Sequence, residues 1–162
     1  MIRLGKLTDY GLVLMTCIAR TQGQTASLHT ARDLALVSRL PLPTVSKVLK
    51  ELLQSGLLVS HRGIKGGYSL ARDAHEISLA EIVSALEGPI ALTECSTDIS
   101  GLCDLERCCP IKSNQQIISQ IVKGALEKVM LSDLVQPLQL TAIKDANGKL
   151  VPTIGYVSGR MQ

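Results

Sequence analysis

The chain has 162 residues, of which 46% are hydrophobic and only 2% aromatic, with a net charge of +3. This length and hydrophobicity suit a single domain with a short extension and an aliphatic core. The scarcity of aromatic side chains argues against single-stranded nucleic acid as a ligand, because such ligands stack on aromatic platforms. No stretch has the length of a membrane span or the pattern of a secretory signal, so we expect a cytoplasmic protein without a membrane partner.

The charge is unevenly distributed along the chain. Residues 39–72 carry six basic side chains against one acidic side chain, whereas residues 73–109 carry eight acidic side chains against one basic. A basic block favours a polyanion through phosphate contacts and counterion release. The first region therefore points to a nucleic acid, and the acidic region should face away from it.

Apolar residues at helical spacing predict a first helix over residues 7–21. Thr8 is its expected N-cap, and Asp9 lies in its first turn, where a negative charge suits the helix dipole. Thr30 and Asp33 form a shortened capping box, which predicts that a second, short helix begins there.

A third helix is predicted over residues 44–55, after a turn that contains Pro41 and Pro43. Pro43 suits the first helical position. The residues predicted to face inward are Val45, Val48, Leu49 and Leu52. Two short helices with a tight turn between them form a helix-turn-helix. Residues 57–60 and 68–71 predict two strands of a hairpin wing, so residues 1–72 form a winged helix-turn-helix that binds DNA.

Ser78 and Glu81 form a capping box that begins a fourth helix. A long helix is predicted over residues 110–131, and its apolar stripe is expected to pair with a second copy of the chain. Residues 73–135 then form a sensor and dimerisation region, and residues 136–162 a weakly specified tail with one hairpin. The expected fold class is mostly α with a small β-hairpin wing: a winged helix-turn-helix plus a long dimerisation helix.

Four of the five cysteines fall in the loop of residues 92–109, namely Cys95, Cys103, Cys108 and Cys109. In a reducing cytoplasm, clustered cysteines indicate metal binding or redox chemistry more than disulfides. Thiolates select iron–sulfur clusters, zinc or copper(I). Zinc sites usually have closer cysteine pairs, so the wide spacing here favours a cluster, while zinc, copper or a thiol redox switch remain alternatives.

Three loop cysteines leave one coordination position open. The spare adjacent cysteine, a carboxylate or a histidine could fill it, but no histidine follows His75. Cys17, within the first helix, is interpreted as a small buried hydrophobe. We expect no enzyme, because the sequence has no nucleophile–base pairing and no phosphate loop, and its three histidines are scattered at predicted surface positions.

Several longer motifs cover residues 1–135. They are RLGKLTDYG at 3–11, LLQSGLL at 52–58, RGIKGGY at 62–68, ISLAEIV at 77–83, LEGP at 86–89, the three-cysteine loop and LSDL at 131–134. With these motifs the chain resembles the Rrf-two (IscR-like) transcription regulators, most closely the branch that regulates the SUF iron–sulfur assembly system. The resemblance implies a homodimeric winged-helix regulator, expected to be a repressor, which binds a pseudo-palindromic double-stranded DNA operator and controls iron–sulfur assembly genes.

The resemblance also implies one iron–sulfur cluster per subunit, 2Fe–2S or alternatively 4Fe–4S. Its implied cysteine ligands are Cys95, Cys103 and Cys109. In the IscR-like branch a histidine is the fourth ligand, but Lys112 stands at that position here. In the nitric-oxide-sensing branch the fourth ligand is an acid in the first helix of the other subunit. Asp9 matches that acid, and Cys108 is the other candidate.

The resemblance and the charge map together predict three sets of DNA contacts. The recognition helix would meet base edges in the major groove through Thr44, Ser46 and Lys47. The expected phosphate contacts are Arg39, Lys50 and Lys65. The wing would approach the DNA with Arg62, Gly66 and Tyr68. Pro41 and Pro43 depart from the more polar residues usual in the family at this helix start.

The combined hypothesis is that loss of the cluster changes the dimer and with it the affinity for the operator. One rival is a clusterless winged-helix regulator that senses oxidation directly through Cys103, Cys108 or Cys109. The other is a zinc-stabilised interaction module whose basic charge is incidental.

Overall fold

The structure is a computed structural model that describes residues 4–22, 28–63, 66–97, 101–104, 108–136, 138–144, 146 and 148–156. The helices are α1 (Lys6–Ala19), α2 (Ala31–Ser38), α3 (Leu42–Gln54), α4 (Leu79–Glu87), α5 (Lys112–Glu127) and α6 (Leu131–Leu134). The strands are β1 (Leu58–His61), β2 (Gly67–Leu70), β3 (Leu138–Lys144) and β4 (Leu150–Tyr156). The chain is thus mostly helical with small hairpins, which confirms the predicted fold class.

Both predicted capping boxes form, and they explain where α2 and α4 begin. The Thr30 hydroxyl accepts a hydrogen bond from the Asp33 amide, and the Asp33 carboxylate accepts one from the Thr30 amide. Ser78 and Glu81 make the same reciprocal pair at the start of α4. Each pair satisfies two backbone amide donors that a helix start otherwise leaves without a partner.

The core is aliphatic and is shared by α1, α2, α3, α4 and α6. Its fully buried members include the four inward residues predicted on α3, together with Leu14 and Met15 of α1. Ile82 of α4 and Leu131 of α6 belong to the same cluster. The DNA-binding region and the region after residue 72 therefore rest on one hydrophobic core, and the division between them stays a prediction.

Three expectations about helix ends are wrong. Thr8 is not the N-cap of α1, because Gly5 occupies that position and Thr8 is fully buried within the helix. Pro43 is the second residue of α3, which begins one residue earlier at Leu42. The helix expected over residues 110–131 is two helices, since α5 ends at Glu127 and α6 is separate.

The break between α5 and α6 has a tertiary cause. The Leu79 amide donates to the Val129 carbonyl at 2.7 Å, and the Leu131 amide donates to the Ile77 carbonyl at 2.8 Å. These bonds join the segment after α5, in extended conformation at Met130, to the segment that begins α4. A continuous helix would use the same backbone groups internally, so these contacts exclude it.

The two hairpins are antiparallel. In the first, Leu58 pairs with Leu70 and His61 with Gly67, which confirms the predicted wing. In the second, Leu138 pairs with Tyr156 and Lys144 with Leu150. This second hairpin is the one expected in the C-terminal tail. None of the helices among the described residues has the length and apolarity needed to cross a membrane.

Candidate nucleic-acid interface and cysteine loop

The free face of α3 carries polar and basic side chains opposite its buried valines and leucines. Ser46, Lys47 and Lys50 are exposed, and Thr44 is half-buried. Arg39 lies in the turn before α3 with a positive φ of 56°, a conformation that non-glycine residues rarely adopt. It is exposed, and it precedes the first residue of α3 by three positions. The predicted recognition residues therefore share one accessible surface.

The wing places Arg62 at its exposed tip, and Lys65 lies outside the described residues. Gly66 has a structural reason to be glycine, because a Cβ there would lie 2.4 Å from the His61 carbonyl oxygen. Tyr68 is half-buried and packs against the hydrophobic core. Its side chain thus contributes to the packing of β2 against the core.

A short backbone ladder fixes the wing to the helix-turn-helix. The Tyr68 amide donates to the His29 carbonyl at 2.8 Å, and the His29 amide donates to the Tyr68 carbonyl at 3.1 Å. A Cβ on Gly67 would lie 2.8 Å from the His29 oxygen, so only glycine permits this approach. His29 is half-buried, with its ring 2.5 Å from the Thr21 hydroxyl, and the expectation that all three histidines lie at the surface fails here.

The start of the cysteine loop is hydrogen-bonded to α5. The Leu92 amide donates to the hydroxyl of Ser119, which is buried in the middle of α5, at 3.1 Å. Cys95 lies in a 3₁₀ turn (Glu94–Ser96) and is 9% exposed. Its carbonyl accepts a hydrogen bond from the Gln116 side chain at 3.4 Å, and its Sγ lies 3.3 Å from the Thr93 hydroxyl.

The other loop cysteines are more accessible. Cys103 and Cys109 are half-buried, and Cys108 is exposed. None of the five cysteines, all of which are described, forms a disulfide. Within the described ranges, no three His, Cys, Asp or Glu side chains lie close enough together to hold one metal ion. As a donor set, the three predicted ligands fit an iron–sulfur cluster, whose usual ligands are thiolates.

The two positions relevant to a fourth ligand are also placed. Lys112 is the first residue of α5 and lies three residues after the end of the loop. Asp9 is exposed in the first turn of α1. Cys17, on the same helix, is half-buried and packs against the core, as expected for a small hydrophobe.

Sequence reasoning missed Glu87, the last residue of α4. Its carboxylate accepts a hydrogen bond from the Thr8 hydroxyl at 2.5 Å and another from the Gly5 amide. Glu87 therefore accepts hydrogen bonds from donors at the amino end of α1. A negative charge is stabilised at this end of a helix by the helix dipole. The cysteine loop begins five residues after Glu87, at residue 92. No local sequence pattern signals this contact, because its partners lie 79 and 82 positions apart in the chain.

Comparison with known proteins identifies the family. Residues 4–137 match the sequence profile of the Rrf2 family, described as an iron-dependent transcriptional regulator. The chain belongs to the Rrf2 family. It is a DNA-binding transcription regulator and not an enzyme, which confirms the resemblance that its motifs show.

Solved structures of Rrf2 regulators have the same fold. CymR of B. subtilis, described as the global cysteine regulator, is 25% identical, with 83% of this chain and 97% of that chain covered and a TM-score of 0.65. The oxidized form of Staphylococcus aureus CymR is 27% identical, with coverages of 85% and 99% and a TM-score of 0.62. T. potens IscR is 23% identical, with coverages of 83% and 86% and a TM-score of 0.63.

Proposed function

We propose that this Rrf2 regulator is a homodimeric repressor of iron–sulfur assembly genes whose affinity for its operator depends on an iron–sulfur cluster. The cluster would be held by Cys95, Cys103 and Cys109. The observation that carries the proposal is the position of these three thiols in one loop between α4 and α5. The Cys95 carbonyl in this loop accepts a hydrogen bond from Gln116 of α5. The iron-dependent description of the family supports the same chemistry.

We propose that the loop influences both the DNA-binding region and the assembly of two subunits. At one end, Glu87 joins the approach to the loop to the start of α1, and α1 packs against α3. At the other end, the loop leads into α5, whose Ile117, Ile118 and Ile121 are exposed in the single chain. An exposed apolar stripe on a helix indicates an interaction surface, and a second α5 is the complementary partner that we propose.

The surface that we propose for DNA binding is the exposed side of α3 together with the tip of the wing. Thr44, Ser46 and Lys47 would read base edges in the major groove, while Arg39 and Lys50 would contact phosphates. Arg62 at the tip of the wing would approach the neighbouring groove. In a two-fold dimer, the recognition helices would reach half-sites about one helical turn of DNA apart.

The cluster can be tested with two matched cysteine variants. Wild-type protein, Cys95→Ala and Cys17→Ala would be purified without oxygen and assayed for iron and acid-labile sulfide. We expect wild type and Cys17→Ala to contain both in matching amounts and Cys95→Ala to lack them, since Cys17 lies outside the loop. A wild-type protein without iron and sulfide, even after reconstitution, would overturn the cluster.

Control of DNA binding needs a separate measurement. Operators would be selected from random DNA with cluster-loaded and with metal-free protein, and their affinities measured by fluorescence anisotropy at one salt concentration. A coupling free energy of about 1–3 kcal/mol predicts an affinity change of about 5- to 150-fold between the two forms. Equal affinities for every selected operator would contradict the sensor function.

The fourth ligand can be assigned by the same iron assay. Asp9→Ala and Cys108→Ala each remove one candidate side chain, and both side chains are exposed. The variant that loses cluster stability identifies the ligand. If both retain a stable cluster, neither residue ligates it.

A thiol switch without a cluster is the second candidate function. Cys108 is exposed and adjacent to Cys109, and accessible thiols are those that oxidants reach. The similar CymR protein also has a structure of an oxidized form. In this case Cys108→Ala would remove the response of operator affinity to peroxide while the wild-type protein contains no iron.

A further inference from the structure

A cavity of about 490 Å³ lies between the end of α4, the turn at Cys95 and one face of α5. Its size is typical of a site for a small molecule. Most of the side chains that line it are polar. They include Ser84, Ser96, Thr97, Gln116, Gln120 and Lys123. The cavity is separate from the recognition face of α3 and contains none of the loop thiols among its described lining residues.

The chemistry of the lining favours an organic anion. Hydroxyl and amide side chains can donate and accept hydrogen bonds, and Lys123 supplies a positive charge. No carboxylate lies among the described residues that line the cavity. Lys123 forms an ion pair with Glu127 at 3.9 Å between exposed side chains, which is a weak interaction. A ligand carboxylate could therefore bind Lys123, while Pro89 and Ile90 would contact a short carbon chain.

The cavity is not on the face of α5 that we propose for dimerisation. Gln116, Gln120 and Lys123 follow one another at four- and three-residue steps, so they share one face of the helix. Ile121 lies well around the helix from that face and is 66% exposed. Pairing through the exposed isoleucines would thus leave the cavity accessible.

The cavity is also connected to the cysteine loop. Gln116, which lines the cavity, donates a hydrogen bond to the Cys95 carbonyl. Ser119, another lining residue, accepts one from the Leu92 amide. A ligand in the cavity would contact the side chains that hold the start of the loop in place.

From these observations we infer that the cavity between α4, the Cys95 turn and α5 is a binding site for a small polar organic carboxylate, which orders the start of the cysteine loop when it binds. The inference goes beyond the proposed function, because binding can be measured directly whether or not a cluster is present.

The test uses the full-length protein and defined probes. Citrate and L-glutamate, as sodium salts, would be titrated by calorimetry at constant ionic strength, with phosphate as the inorganic comparison. We expect at least one carboxylate to bind with one site per chain. Lys123→Met should weaken it about tenfold or more through loss of a charge-assisted hydrogen bond, and Gln120→Ala should weaken it less. Lys128→Met, a matched change one residue beyond α5, should have no effect.

Hydrogen exchange read by mass spectrometry would locate the bound probe. Slower exchange over residues 92–97 and 116–123 would support the inference. Absence of binding by both carboxylates, equal binding by phosphate, equal weakening by Lys123→Met and Lys128→Met, or protection elsewhere in the chain would overturn it.

Discussion

Glu87 illustrates how a single carboxylate can connect two parts of this regulator. It accepts hydrogen bonds from Thr8 and Gly5 at the start of α1, although it belongs to α4. Hydrogen bonds to a charged acceptor contribute more than those to a neutral one. The contact is absent from any local sequence pattern, because its members lie 79 or more positions apart in the chain.

We therefore expect Glu87→Gln to lower the free energy of unfolding by about 1 kcal/mol, measured by urea denaturation. The amide keeps the shape and one acceptor oxygen but removes the charge that favours the helix start. Glu76→Gln is the control, because it removes the same charge from an exposed residue just before α4. Equal stabilities of the two variants would show that the carboxylate at α1 contributes nothing.

Glu81 predicts a pH dependence of stability. Burial raises the pKa of Glu81, but hydrogen bonds from the Ser78 backbone and from Arg72 outweigh this and lower the pKa overall. A folded-state pKa below the unfolded value stabilises the protein fully above the unfolded pKa of about 4.3, and this stabilisation is lost as the pH falls through the folded pKa. Glu81→Gln should therefore reduce the difference in melting temperature between neutral and acidic pH, and an unchanged profile would contradict this assignment.

At the scale of elements, the contact between α1 and α4 depends on close approach at Gly11. A Cβ at this position would lie 2.2 Å from Leu86 Cδ1, and Gly11 itself is buried. Gly124 of α5 is also inside a helix, but a Cβ there would meet nothing within 4 Å. Substitution by alanine is therefore expected to have opposite effects on stability at Gly11 and Gly124.

Gly11→Ala should lower stability by about 1–3 kcal/mol, because the overpacked methyl group outweighs the better helix propensity of alanine. Gly124→Ala should raise the stability of the single chain by about 0.5–1 kcal/mol, since within that chain only the propensity changes. Thermal and urea unfolding at one protein concentration would measure both. Stabilisation by Gly11→Ala would show that Leu86 moves away without cost.

At the scale of the whole molecule, the exposed stripe of α5 predicts assembly. Ile121→Glu places a charge at the centre of the stripe and should convert the dimer to a monomer, measured by sedimentation velocity. Gln120→Glu introduces the same charge on the adjacent face of the helix and should leave the dimer intact. A wild-type protein that is monomeric, or that stays dimeric with Ile121→Glu, would exclude pairing through this stripe.

The distribution of charge predicts how DNA binding responds to salt. Lys50 is exposed on the recognition face, and the proposed phosphate contact would release about one counterion. Lys50→Ala should weaken binding to all DNA sequences alike and reduce the slope of log affinity against log salt by about 1. Lys128→Ala, outside the basic face, should leave the slope unchanged. If both variants behave alike, the effect belongs to net charge and Lys50 is not a contact.

Local signals were sufficient for much of the fold. The capping boxes at Thr30 and Ser78, the inward face of α3 and the wing are all formed by residues near one another in sequence. Capping and hydrophobic periodicity act over a few residues, so the sequence shows these features directly. The family motifs added the function class, and the family match confirms it.

What the tertiary structure alone decided concerns groups whose partners lie far away in the chain. Helical periodicity predicts one helix that continues to Leu131. In the structure α5 ends at Glu127, because Val129 and Leu131 make backbone hydrogen bonds to Leu79 and Ile77. Threonine is a residue type that favours N-cap positions, yet Thr8 is buried and donates a hydrogen bond to Glu87. The sequence by itself determined the elements, the basic face and the thiol-rich loop. Only folding determined which of these touch, because a long-range contact depends on the packing of every element between its two partners.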